Sequence, residues 1–217
     1  MAYNIELNKT KPNKFFLIRF TLLLSLLFYG CLHSAHPKED KNIHEGDIIF
    51  LSSNSPRAGA IKIASRSPYS HVGVVIQTKK GLKVFEAVQP VRFTSIDKFI
   101  ARGNLVLIKR LKDNTLVTEK SARKFRKLAA SWVGKNYDGT YRWSDSRMYC
   151  SELVWKLYDR AFDIQLVPLR RLEQYSLKSP VVRTALRKVY GKKIPYKQTV
   201  IAPGDLANSE YLRRVDL

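Results

Sequence analysis

The hydrophobic residues along the chain fall first into short apolar runs. Four of these runs, rich in β-branched and aromatic residues, predict buried strands: Ile48–Leu51, Val72–Gln77, Leu82–Val88 and Leu105–Leu111. The turn Lys79-Lys80-Gly81 separates the second run from the third, so these two are expected to pair as an antiparallel hairpin.

Later segments have helical spacing instead. Apolar positions from Ala122 to Trp132 lie opposite a basic face, which predicts an amphipathic helix. A core helix is expected to begin near Cys150, and another from Ser179-Pro180 to Gly191. A short helix over Ala58–Ser65 and a strand and turn over Thr199–Leu206 complete an α+β domain.

The first residues have the pattern of an export signal. Three lysines (Lys9, Lys11 and Lys14) precede an almost wholly apolar run, Phe20–Tyr29. Gly30-Cys31 follows where a bacterial lipoprotein signal places its lipidated cysteine, although Tyr29 is larger than that pattern usually takes. Four interpretations of this segment remain open: a lipoprotein signal with Cys31 lipidated, a cleaved signal, an uncleaved membrane anchor and a buried helix of a cytosolic protein. The pattern favours export.

Domain organisation follows from these patterns. We expect a targeting or anchor segment over residues 1–35, a polar tether over 36–45 and a single domain over 46–217. We therefore predict an exported protein of the cell envelope, held at the membrane or free in the periplasm or medium.

The net charge and the cysteine content limit the surfaces, nucleic acids and metals that the protein is expected to bind. The chain carries a formal charge of +21, of which residues 1–35 contribute +3, so the remainder is strongly basic and suits an anionic envelope surface. We find no nucleic-acid-binding motif and expect no nucleic-acid partner. Cys31 and Cys150 are the only cysteines, which excludes a Cys-rich zinc site, and we predict neither a metal nor a cofactor. Oligomeric state is left open.

Cys150 is the first candidate for chemistry because it stands where a helix begins. The unpaired amides and dipole of a helix N-terminus favour a thiolate, and the same amides can bind an oxyanion. The alternative is a small core residue, since Cys150 shares a helical face with Leu153, Val154 and Leu157.

His71 and Glu86 are the candidates to accompany it. His71 opens a strand directly after a turn and is placed to act as a general base. Glu86 interrupts an apolar strand, and a buried acid needs a partner. The hairpin brings the two strands together, so Glu86 can orient the imidazole of His71. Each could also be structural: His71 as a packed strand residue and Glu86 as a solvent-facing one.

Four segments in order carry a family resemblance. They are Gly46-Asp47-Ile48-Ile49-Phe50, Ser70-His71-Val72-Gly73-Val74, Phe85-Glu86-Ala87 and Tyr149-Cys150-Ser151-Glu152-Leu153, followed by a tail at Val200–Leu206. This set resembles the YiiX-like branch of NlpC-type cysteine hydrolases, a circularly permuted papain-like fold in which the histidine strand precedes the cysteine helix.

The resemblance implies roles for individual residues. Cys150 would be the nucleophile, His71 the general base and acid, and Glu86 the residue that orients His71, with Tyr149 as a substrate-binding neighbour. The implied activity is hydrolysis of an amide, either a peptide bond in murein or an N-acyl linkage. Two alternatives stay open: a lipid acyl hydrolase or acyltransferase, as in permuted relatives of the lecithin–retinol acyltransferase kind, and a non-catalytic basic envelope-binding protein.

Overall fold

The computed structural model describes residues 43–216, which belong to one compact unit that extends from Asn42 to Leu217. The proposed signal segment, including Cys31, and most of the tether lie outside the described residues. Among residues 43–216, no helix has the length and apolar character needed to span a membrane.

The centre of the domain is a six-stranded antiparallel sheet in the order β10-β5-β1-β2-β3-β4. Its strands are β1 (Ile48–Ser52), β2 (His71–Thr78), β3 (Gly81–Glu86), β4 (Arg92–Thr94), β5 (Leu105–Leu111) and β10 (Leu212–Val215). Four two-residue strands form two small ladders, β6 (Asn136–Tyr137) with β7 (Arg147–Met148), and β8 (Arg170–Arg171) with β9 (Thr199–Val200).

Within residues 43–216, six α-helices accompany the sheet: α1 (Pro56–Ser65), α2 (Ile96–Ile100), α3 (Glu119–Trp132), α4 (Cys150–Phe162), α5 (Pro180–Tyr190) and α6 (Pro203–Ala207). Two 3-10 turns lie at Asn114–Leu116 and Leu172–Gln174. The α+β interpretation is confirmed.

Alternation along the strands gives the sheet two apolar faces. Phe50, Val74 and Phe85 pack in the larger cluster with residues of α3 and α4. Ile49 and Val84 belong to a smaller cluster on the opposite side, which contains Phe99 of α2. The sheet is therefore covered on both sides, and α4 lies against its centre.

Several boundaries differ from the sequence predictions. Strand β3 ends at Glu86 rather than Val88, because the chain turns there towards the short β4. The predicted turn after Thr199–Val200 contains α6. Strands β4 and β10 and helix α2 were not predicted. The end of the proposed tether is also packed: Ile43 is buried, and Glu45 forms an ion pair with Arg126 at 2.6 Å.

Candidate active site

His71 is the first residue of β2 and is held by regular sheet pairing. It lies opposite Leu51 of β1, and the amide of Ser70 donates to the carbonyl of Leu51 at 2.8 Å. The imidazole packs against Phe99, with ring centroids 5.5 Å apart. Gly73 permits this packing, because a Cβ there would lie 3.0 Å from the Phe99 ring and 2.5 Å from a Val84 methyl group. The glycine thus helps to fix the orientation of His71.

Glu86 ends β3 fully buried beside His71. Its Oε2 lies 2.7 Å from Nε2 of His71. Its Oε1 accepts hydrogen bonds from the Thr94 hydroxyl at 2.6 Å and from Arg102 Nη2 at 2.7 Å, and the same Nη2 lies 2.8 Å from Oε2. The carboxylate therefore has three partners, of which sequence reasoning found only His71. No pattern marks Arg102, which lies in the turn after α2.

The electrostatics of this pair favour the charged forms. Burial by itself lowers the pKa of His71, but hydrogen bonds and negative charge from Cys150 and Glu86 outweigh burial and raise it to about 9. Burial raises the pKa of Glu86, but hydrogen bonds with His71, Thr94 and Arg102 outweigh it and lower the pKa to about 2. An imidazolium beside a carboxylate is the expected state at neutral pH.

Cys150 is the first residue of α4, and its side chain is nearly buried. Its thiol lies close enough to His71 for the two side chains to interact electrostatically. Because Nε2 of His71 is engaged with Glu86, Nδ1 is the nitrogen left for the thiol. The structure thus brings together Cys150, His71 and Glu86, at a helix N-terminus whose first amides have no partner within the helix.

A buried ion pair fixes the start of α4. Glu152 accepts from Lys156 Nζ at 2.7 Å and from the amide of Ser144 at 2.9 Å, and both charged side chains are almost completely buried. Burial raises the pKa of Glu152 to about 7 despite these bonds. The second carboxylate oxygen accepts from the amide of Tyr149 at 3.3 Å. This network ties the loop that precedes Cys150 to the helix.

Tyr149 lies in the core rather than on an open surface. Its side chain is 2% exposed, and its hydroxyl accepts a hydrogen bond from the amide of Ile201 at 3.1 Å. Its ring also packs edge-on against Tyr141. A side chain so enclosed helps to position the residue before Cys150, and the substrate-binding role of Tyr149 stays a prediction.

A cleft of about 400 Å³ opens at His71. Its other lining residues include Ser53, Arg57, Ser70 and Tyr137. Arg57 and Ile61 of α1 also line a larger apolar groove of about 870 Å³ between α1 and α5. Within residues 43–216, no three His, Cys, Asp or Glu side chains converge as a metal site.

The fold is that of a permuted papain-like protein. The model of the family described as "Permuted papain-like amidase enzyme, YaeF/YiiX, C92 family" matches residues 42–216. The chain belongs to this family, which confirms the resemblance found in the sequence motifs and the permuted papain-like fold.

Two comparisons relate the chain to individual proteins. It is 37% identical over 172 residues to the uncharacterized protein YiiX of Escherichia coli K12, covering 78% of this chain and 84% of that one. It is also similar to the crystal structure of YiiX from Escherichia coli O157:H7, described as a metalloprotein, with a TM-score of 0.76 and 35% identity, covering 81% of this chain and 97% of that one.

Proposed function

We propose that this protein is a cysteine amidase of the cell envelope that cleaves a peptide or N-acyl amide through a thioester on Cys150. Membership of a permuted papain-like amidase family supports amide hydrolysis. The observation that carries the assignment of residues is the 2.7 Å bond between His71 and Glu86, with Cys150 close enough to interact with the same imidazole.

In the proposed first half-reaction, the Cys150 thiolate attacks the amide carbonyl carbon and forms a C–S bond. Helix N-terminal amides of α4 stabilise the oxyanion of the tetrahedral intermediate. The C–N bond then breaks, and the His71 imidazolium gives its proton to the leaving nitrogen. The products are a free amine and an acyl thioester on Cys150.

In the second half-reaction, neutral His71 removes a proton from water, whose oxygen attacks the thioester carbonyl. The C–S bond breaks, a carboxylic acid leaves, and the proton returns the site to its thiolate–imidazolium state. Glu86 keeps the ring oriented and stabilises the imidazolium throughout, while Arg102 and Thr94 hold Glu86 in place.

Export to the envelope is part of this proposal. It is supported by the basic and then apolar pattern of residues 9–29 and by the strong positive charge of the remaining chain. Two substrate classes are consistent with the cell envelope: murein peptides and acylated amines at the membrane.

The similar YiiX of Escherichia coli O157:H7 is described as a metalloprotein, which raises the question of a metal in the present site. Here the candidate site offers one thiol, one imidazole and one carboxylate, and the carboxylate is already saturated by His71, Thr94 and Arg102. This donor set does not form a metal site in residues 43–216, so no step of the mechanism passes through a metal.

A lipid acyl hydrolase is the second candidate, and the apolar groove favours it. The groove shares Arg57 and Ile61 with the cleft at His71, and its walls include Ala64, Leu177 and Val181. A thioester site beside such a groove could accept an ester-linked acyl chain as readily as an amide-linked one.

Cys150→Ala is the test of the catalytic assignment. We expect the variant to keep the wild-type circular dichroism spectrum and to release no amine or carboxylate from murein peptides, N-acyl amides or phospholipid vesicles. A variant that retains wild-type turnover would refute Cys150 as nucleophile.

Product analysis of the wild-type protein separates the two candidates. Amine release from peptides or N-acyl amides supports the amidase, whereas fatty acid release from phospholipid vesicles without amine release supports the lipid hydrolase. Mass spectrometry of acid-quenched enzyme should find the matching acyl group on Cys150.

A further inference from the structure

A second, strongly basic cleft lies on the far side of Glu86. It has a volume of about 790 Å³, and three segments form it: the β2–β3 turn, strand β4 and helix α2. Six cationic side chains and no acidic one line it, namely Lys79, Lys80, Lys83, Arg92, Lys98 and Arg102. We call it the basic cleft.

Most of this positive charge is not neutralised by ion pairs within residues 43–216. Arg102 is paired with Glu86 at 2.7 Å. The other five have no ion pair with any residue between 43 and 216. Five like charges around one concavity repel each other and are stabilised by an anion. The cleft also contains the hydroxyl of Ser95, which forms no capping bond to α2.

The position of the cleft favours a membrane surface as the source of that anion. The first described residues lie beside the basic cleft. Glu45 accepts a hydrogen bond at 2.9 Å from the amide of Gln77, and the next residue, Thr78, lines the cleft. Eleven residues lie between Cys31 and Ile43, and an extended chain over these twelve Cα–Cα steps reaches at most about 40 Å. A membrane attachment at the N-terminal segment would therefore hold the cleft within reach of headgroups.

We propose that the basic cleft binds phosphate headgroups of an anionic bilayer and so docks the domain against the membrane surface. The lysines supply charge to the phosphates, and Phe93, which packs against Phe85 at 5.1 Å, provides an apolar floor. Each cation close to an anionic surface strengthens binding about fivefold.

Docking at this cleft also places the candidate active site close to the bilayer. Arg102 lines both the basic cleft and the cleft at His71, so the two openings adjoin. Substrates that are attached to the membrane would then meet Cys150 without leaving the surface.

The test measures the preference of the full-length chain for phosphatidylglycerol vesicles over phosphatidylcholine vesicles. The ratio of the two partition constants cancels the contribution of the N-terminal hydrophobic segment, which is common to both. Lys79→Gln/Lys80→Gln/Lys83→Gln is the test variant. We expect its ratio of partition constants to be at least about tenfold lower than that of the wild-type chain, allowing for the screening of charges by salt.

The matched control removes the same charge from the outer face of α3, with Lys120→Gln/Lys124→Gln/Lys127→Gln. These three lysines are exposed and likewise belong to no ion pair with a residue of the described domain. The control variant is expected to keep most of the preference. An equal loss in both variants would mean that net charge alone drives binding, and it would overturn the proposal.

Lysine acylation, read by mass spectrometry, gives a second and independent result. On phosphatidylglycerol vesicles, Lys79, Lys80 and Lys83 should be protected several-fold more than Lys120 and Lys124. Equal protection by inorganic pyrophosphate or a short DNA duplex without vesicles would contradict a bilayer as the occupant. Neither measurement requires catalysis, so both are independent of the proposed roles of Cys150 and His71.

Discussion

Glu86→Gln is the substitution that best isolates the electrostatic role of the buried carboxylate. Glutamine has nearly the same shape and keeps an oxygen that can accept from Thr94, but it removes the negative charge from beside His71. The pKa of His71 stands at about 9 rather than 6.5, and Cys150 and Glu86 are the two groups that raise it. Removing the Glu86 charge leaves burial with less opposition, so the variant lowers the pKa of His71, and each unit of that fall is equivalent to about 1.4 kcal/mol.

The assay is an NMR titration of the histidine ring protons, in which the resonance lost in His71→Ala identifies His71 among the four histidines of the chain. The wild-type imidazole should titrate near pH 9. In Glu86→Gln the midpoint should fall clearly below that of the wild type, because burial then lowers the pKa with less opposition.

The pH dependence of stability has a defined sign. The pKa of His71 in the folded protein is above its ordinary value of 6.5, so its stabilising interactions are complete below pH 6.5 and are lost as the pH rises through about 9.

Glu210→Gln is the control for the Glu86→Gln titration, because Glu210 is exposed and lies outside the site. An unchanged His71 midpoint in Glu86→Gln would refute the argument that Glu86 stabilises the imidazolium.

Three further variants test the framework of the site. Gly73→Ala should lower the free energy of unfolding in urea by about 1–3 kcal/mol, because its Cβ would lie 2.5 Å from a neighbouring methyl group; Gly139→Ala, with open space around the Cβ, should have little effect. Tyr149→Phe should lower the free energy of unfolding by about 1–3 kcal/mol, because the buried amide of Ile201 loses its acceptor. The value of kcat/KM should change little. A large loss of activity with unchanged stability would instead support a substrate-binding role for Tyr149. Lys156→Met should cost about 3–5 kcal/mol of stability well above pH 7, where Glu152 is ionised and stays buried without this counter-charge. Adding Glu152→Gln should recover part of this loss, and additive losses in the double variant would contradict the pairing.

Local patterns in the sequence predicted the elements that carry the chemistry. The β-branched run after a turn placed His71 at a strand start, and the helical spacing after Cys150 placed the thiol at a helix N-terminus. Glu86 was identified because an acid within an apolar strand needs a partner, and the hairpin brought that strand beside His71.

Features that depend on distant contacts escaped prediction. Arg102 has no periodicity of its own and becomes part of the site only because α2 folds back over β3 and β4. Strand β10 is short and contains Arg213-Arg214 at a sheet edge, so its composition resembles an exposed tail. The burial of Tyr149 likewise depends on the packing of Ile201, about fifty residues later.

The most direct measurement of the central claim is the pH dependence of Cys150 alkylation by iodoacetamide in the wild-type protein and in His71→Ala. A Cys150 thiol activated by the His71 imidazolium should be alkylated many-fold faster at neutral pH in the wild-type protein than in His71→Ala. Equal alkylation rates in the wild-type protein and in His71→Ala across the pH range would contradict the Cys150–His71 pair and the hydrolytic mechanism built on it.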